Sequence, residues 1–102
     1  MYNKLKQTVA IDYDDTYTIN PEMWNWIIGV FTLNKFDVVI VTYRESTQHE
    51  DMELQIPNVK DYVFTGGKAK KKYCEDCGIT IDIWIDDYPE AICYDYKNLP
   101  MQ

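Results

Sequence analysis

The 102-residue chain contains no long apolar run. Asp and Asn interrupt every hydrophobic stretch short of the roughly 18 residues that a membrane span requires, so no membrane association is expected. The opening Met1-Tyr2-Asn3-Lys4-Leu5-Lys6 reaches polar Gln7 and Thr8 without an apolar segment, which argues against a secretory leader. Cations are scarce: 10 Lys and Arg face 17 Asp and Glu, a formal net charge of −7. That balance disfavours broad binding to a nucleic-acid backbone, which needs clustered cations to displace counterions. Cysteine is scarce too. Cys74, Cys77 and Cys93 cannot complete a disulfide framework, so reduced thiols in the cytoplasm are the expectation. Cys74-Glu-Asp-Cys77 has C-x-x-C spacing, but it sits late in a Lys-rich segment just before Gly78, where a helix would end. A zinc site would need two further ligands, with only Cys93 and His49 as soft candidates, so ordinary helix-end cysteines are expected. Repeats and low-complexity linkers are also missing. What remains is a chain with 46% apolar residues, enough for one packed acidic domain spanning residues 1–102.

Apolar runs alternate with breakers along that domain. Thr8-Val9-Ala10-Ile11 reads as a strand covered on both faces. Asn20-Pro21-Glu22 provides an N-cap and a first-turn proline, and Met23, Trp24, Ile27, Ile28 and Phe31 predict an amphipathic helix to about Asn34. Asp37–Thr42 is a second strand, and Arg44–Gln55 is polar and irregular or weakly helical. Tyr62–Thr65 predicts a third strand before the Gly66-Gly67 turn, and Ala69–Cys77 a helix closed by Gly78. Ile81–Ile85 predicts a fourth strand, and Pro89–Tyr94 a short final helix. Alternating strands and helices imply an α/β fold with a mainly parallel sheet of four or five strands. Ligands of such sheets sit beyond the carboxyl ends of the strands.

Those ends are where polar residues gather. Strand one ends in Asp12-Tyr13-Asp14-Asp15-Thr16, strand two in Thr42-Tyr43-Arg44, and strand four in Asp86-Asp87, while Gly66-Gly67-Lys68 follows strand three. Any one of these has an ordinary explanation: an Asp after a strand is usually a turn former, and Asp15 is best explained that way. Together they put several carboxylates, a hydroxyl and an ammonium on one sheet edge. Like charges so close are costly unless a cation neutralises them, and hard oxygen ligands beside a phosphorylated substrate suit Mg2+.

Asp12-Tyr13-Asp14-Asp15-Thr16 resembles the first motif of the haloacid dehalogenase superfamily, D-x-D-x-T after a hydrophobic strand. Val38–Thr42 is similar to the second motif, Lys68 to the third-motif lysine, and Ile83-Trp84-Ile85-Asp86-Asp87 to the acidic fourth motif. The likeness runs from Thr8 to about Ile92 and implies a Rossmann-like three-layer sandwich. It also implies phosphate monoester hydrolysis: Asp12 as nucleophile, Asp14 as general acid and base, and Thr42 and Lys68 as phosphoryl contacts. Magnesium would be held by Asp12, the Asp14 main-chain carbonyl and Asp86, with Asp87 a direct or indirect ligand. Lys68 is preferred over Lys70, Lys71 and Lys72 because the Gly-Gly turn would set it near the sheet edge. Arg44, the only arginine, is either a phosphate contact or a solvated loop residue.

Only Tyr17–Ile19 separates the first motif from the helix, so the resemblance is to a core without a cap domain, with the usual fifth strand reduced or missing. Water would then be excluded by the substrate or by a second copy covering the open site. Tyr13, Tyr17, Tyr43 and Tyr88 either form an aromatic rim there or fall beside the motifs by number alone. Expected substrates are a phosphorylated small molecule, such as a nucleotide or sugar phosphate, or a nucleic-acid end. A module that binds phosphate and Mg2+ without useful turnover is the alternative. A phosphotransfer receiver is excluded, because its phospho-accepting Asp would close the third strand, which here ends in Phe64-Thr65.

Overall fold

Val- and Ile-rich segments form the sheet in the computed structural model, which describes residues 6–99. Met1–Leu5, on which the reading of a leader rests, lies outside the described residues. The strands are β1 (Thr8–Ile11), β2 (Asp37–Thr42), β3 (Asp61–Phe64) and β4 (Ile83–Ile85). All pair in parallel in the order β3-β2-β1-β4, with Ile11 opposite both Ile40 and Ile85, and Thr42 opposite Phe64. β1 and β4 therefore end level with Ile40, and β2 and β3 run two residues further, to Thr42 and Phe64. Among the described residues there is no fifth strand.

Helix α1 (Pro21–Leu33) starts where the sequence predicts: Asn20 Oδ1 accepts the Met23 N–H at 3.1 Å, and Pro21 opens the first turn. It ends in a Schellman turn, with Lys35 N–H donating to Thr32 O and Phe36 N–H to Phe31 O. Lys35 takes the left-handed conformation there, at φ 73°. Helix α2 (Lys70–Asp76) ends the same way through Gly78 at φ 81°, so the glycine stop read from the sequence is the stop observed. Helix α3 (Glu90–Cys93) is one turn long, and the segment from Arg44 to Gln55 is irregular.

Apolar side chains cover both sheet faces. Val9, Ile11, Val38 and Ile40 pack against Ile28 of α1, whereas Ala10, Val39, Val41 and Val63 pack against Cys74 of α2. Each fully buried aliphatic side chain of this kind stabilises the fold by about 1.5–3 kcal/mol relative to exposure. The loop after β2 joins the first core through Met52 and Ile56. Among the described residues no helix is long and apolar enough to cross a membrane.

The C-x-x-C pair is split by this packing: Cys74 is fully buried and Cys77 exposed, as is Cys93. Burial, and secondarily the neighbouring Cys77, pushes the Cys74 thiol up to about 11. A disulfide-exchange reagent at pH 8 is expected to titrate Cys77 and Cys93 in the folded chain and Cys74 only after denaturation. Equal reactivity of Cys74 and Cys77 in the folded protein would contradict this packing.

Candidate functional site

Asp12 leaves β1 with its backbone N–H donating to Ile85 O at 2.9 Å, which turns its side chain onto the carboxyl edge of the sheet. The residue is only 8% exposed. Its Oδ1 accepts from Lys70 Nζ at 2.8 Å, and the same ammonium donates to Asp86 Oδ2 at 2.6 Å. Thr16 Oγ1 lies 3.2 Å from both Asp12 Oδ2 and Asp87 Oδ1, and it accepts the Asp87 N–H. Its single proton can serve one carboxylate at a time. Asp86 is held further by Tyr88 N–H, which donates to Oδ1 at 3.0 Å.

One oxygen from each of Asp12, Asp86 and Asp87 lies within 4.8 Å of the others, so the three could hold a metal ion. One ammonium therefore faces three carboxylates. Burial first, then the Asp87 and Asp86 carboxyls, push Asp12 up to about 7, although Lys70 pulls the other way. The cluster is short of positive charge, which is the condition a bound cation relieves.

The lysine that reaches the carboxylates is Lys70, not Lys68, the one expected to do so. Lys68 lines a separate cleft beside Gly66, Gly67 and Tyr96, where it is exposed. Lys70 is the first residue of α2 and is 2% exposed. A helical side chain leans toward the N-terminus of its helix, so the first residue of α2 projects toward the sheet edge, and the turn residue before it does not. Tyr43 completes the surroundings, its ring centroid 5.5 Å from Lys70 Nζ.

Thr42 closes β2 with 1% exposure, and its Oγ1 accepts the Arg44 N–H at 3.2 Å. Asp14 stands apart from the three-carboxylate group. Arg44 grips it from both sides, Nη2 to Oδ1 at 2.7 Å and Nε to Oδ2 at 2.9 Å. The guanidinium also donates to Gln48 O at 3.1 Å and to Asp51, a carboxylate that the sequence reading did not single out. That hydrogen bond holds Asp51 below the usual carboxylate range. Arg44 is thus neither solvated nor free, and it sits 5.7 Å from the Tyr13 ring. Asp15 adopts φ 63° in the turn after β1, as a turn former does.

Asp12, Asp14, Thr42, Lys70, Asp86 and Asp87 line one cleft of about 460 Å³. The aromatic rim is smaller than the sequence offers. Tyr13 and Tyr17 stack on each other in the core, at 5% and 3% exposure, and only Tyr43 and Tyr88 reach the cleft, joined by Tyr96.

Removing one partner of a buried ion pair leaves the other charge uncompensated, at a cost of about 3–5 kcal/mol. Lys70→Met should therefore lower unfolding stability in urea by about 3 kcal/mol at pH 8. The loss should be smaller at pH 5.5, where Asp12 carries its proton. Lys68→Met should change stability by less than about 0.5 kcal/mol, as surface changes usually do. Equal effects of the two substitutions would reject Lys70 as the counter-charge.

A scan of the sequence against protein-family models finds no match, nor do searches of curated proteins and of solved structures. What is said of this site therefore rests on its own geometry.

Proposed function

We propose that the chain hydrolyses phosphate monoesters with magnesium, through a phosphoryl intermediate on Asp12, on a capless core of the haloacid dehalogenase type. The observation that carries this reading is the buried Asp12 carboxylate, bonded to Lys70 and grouped with Asp86 and Asp87 beside Thr42 at one sheet edge. The parallel order β3-β2-β1-β4, with α1 on one face and α2 on the other, supports a Rossmann-like three-layer core.

The phosphoryl group would sit between Thr42 Oγ1 and Lys70 Nζ, donors to its non-bridging oxygens. An Asp12 oxygen attacks phosphorus, the P–O bond to the leaving group breaks, and Asp14 donates a proton to the departing oxygen. Asp14 then takes a proton from water, whose oxygen attacks phosphorus and releases phosphate, restoring the Asp12 carboxylate. Both Asp14 oxygens accept from Arg44 in the structure, so proton donation requires one of them to be released. A substrate phosphate can draw the Arg44 guanidinium away, since its planar fork matches phosphate as well as carboxylate. Magnesium would be held by Asp12, Asp86 and Asp87, with the Asp14 main-chain carbonyl, and would offset phosphoryl charge.

A phosphorylated small molecule suits the cleft better than a nucleic-acid end. Its volume falls within the roughly 300–1,000 Å³ of small-ligand sites. The basic strip from Lys68 to Lys72 is also depleted, because Lys70 is buried among carboxylates and Lys72 pairs with Asp76 at 2.7 Å.

With an aryl phosphate as substrate, magnesium-dependent release is expected to vanish with EDTA and to fall at least about 1,000-fold in Asp12→Asn. Turnover surviving in Asp12→Asn would reject the phosphoryl intermediate. Metal binding has a separate signature. The folded-state value for Asp12, about 7, lies above the roughly 3.9 of an unfolded aspartate, so this group favours folding less as pH rises from about 4 to 7. A cation offsets that loss. Magnesium should therefore raise Tm more at pH 8 than at pH 5, and Asp86→Asn should shrink the increment. An increment independent of pH and of Asp86 would put the ion elsewhere.

A further inference from the structure

Helix α1 and the turn before it carry a second apolar face that nothing among the described residues covers. Ile19, Met23, Trp26, Val30 and Leu33 are 73%, 42%, 72%, 41% and 79% exposed. Their spacing of four, three, four and three residues is that of a coiled-coil seam. The only charged residue within α1 is Glu22. A helix with apolar side chains on two opposite faces is normally buried on both, yet α1 packs only one of them on the sheet. The exposed seam presents on the order of 500–600 Å² of apolar surface, the upper end of what a monomer leaves open.

Gly29 is half-buried at the edge of that face, one turn from Trp26 and Leu33. Its φ is not positive, and an added Cβ would meet only Asn58 Nδ2, at 4.0 Å. Nothing in the isolated fold demands glycine in the middle of this helix, where it weakens the helix relative to alanine. Close approach of another backbone would demand it.

We propose that this face binds a second copy of the chain, α1 against antiparallel α1 about a twofold axis that crosses the seam midway between Trp26 and Val30. Such a pairing sets Trp26 beside the partner's Val30 and Met23 beside the partner's Leu33. Two seams meeting would bury about 1,100 Å² before flanking residues are counted, close to the lower bound for a specific interface. The charge pattern fixes both the occupant and the direction. In a chain of net charge −7, self-association is least opposed at a face carrying one charge per helix. Antiparallel packing brings Glu22 near the partner's Lys35, just past the helix end, whereas parallel packing would set Glu22 against Glu22. The N-terminal end of the seam adjoins Asp86 and Asp87 through a cleft lined by Ile19 and Met23. An antiparallel pair therefore carries its two carboxylate clusters at opposite ends, and the second copy does not act as a lid over the site.

Sedimentation equilibrium from 1 to 200 μM tests this, with circular dichroism to check folding. A dimer is expected, with Trp26→Glu raising its Kd at least 100-fold while the helix signal is retained. Gly29→Ala should raise the Tm of the dilute, dissociated chain yet weaken association. Glu22→Lys and Lys35→Glu should each weaken association about 3- to 10-fold, and the two together should restore it. A wild-type chain that stays monomeric at 200 μM overturns the proposal, as does a dimer indifferent to Trp26→Glu. Failure of the paired charge swap overturns the antiparallel arrangement. A monomer that co-sediments with phosphatidylcholine vesicles in a Trp26-dependent way overturns it in favour of a lipid surface.

Discussion

Charge compensation at the carboxyl edge of the sheet is the constraint around which this small fold is arranged. Two of the three clustered carboxylates lie against the Lys70 ammonium, and the Lys70 and Asp86 side chains are each 3% exposed. Taking such groups out of water is expensive, and it is tolerated only where opposite charge and hydrogen bonds replace the lost hydration. Lys70 provides the first, and Thr16 Oγ1 and Tyr88 N–H provide part of the second. Even so, Asp12 is left with a proton affinity far above that of a solvated aspartate. A cluster that leaves its central acid half-protonated near neutral pH is not built for stability. A bound cation would relieve that shortage of positive charge.

Parallel register is what makes such a cluster possible in so few residues. Because β1 lies between β2 and β4 with Ile11 level with both Ile40 and Ile85, the residues after each strand emerge together. The backbone bond from Asp12 N–H to Ile85 O carries the pairing one residue past the strands and locks Asp12 beside Asp86. Lys70 comes from a different level of the structure, the first turn of α2. The turn before it closes on the segment after β2: Gly66 N–H donates to Arg44 O and Gly67 N–H to Tyr43 O, both glycines at positive φ. The Gly-Gly pair thus acts on the site indirectly, by setting where α2 begins.

Much of this was legible in the sequence because it follows from period and position. Strands one and two, the N-cap of α1 and the Gly78 stop depend on local chemistry, and all lie where Val and Ile runs, Asn20-Pro21 and the glycine indicate. The strand-end acids were visible because loop residues after parallel strands converge whatever their partners. The choice among four lysines needed one more step. Lys70, Tyr73, Cys74 and Cys77 recur at helical spacing, so only Lys70 shares the inward side with Cys74. The Gly66-Gly67 turn favours its nearest lysine by position alone and carries no such information about the helix face. Asp51 was not legible at all. Its contact with Arg44 depends on the path of an irregular loop, which no periodicity encodes.

That loop is nevertheless tied to the core. The segment after β2 has no regular structure, yet Met52 and Ile56 are buried in the core. Glu53 N–H donates to the Tyr13 hydroxyl at 3.0 Å, and Ile56 N–H to the Tyr62 hydroxyl at 2.9 Å. Tyr13, one of the aromatic residues expected at the rim, is thus spent on fastening the loop. A fastened loop holds Asp51 and the Gln48 carbonyl near Arg44, and these orient the guanidinium that grips Asp14. The orientation of Asp14 therefore follows from the packing of Met52 and Ile56 as much as from its own place after β1. The Asp14 carboxylate is thus positioned beside the cleft in advance, by a chain of contacts that begins in the hydrophobic core.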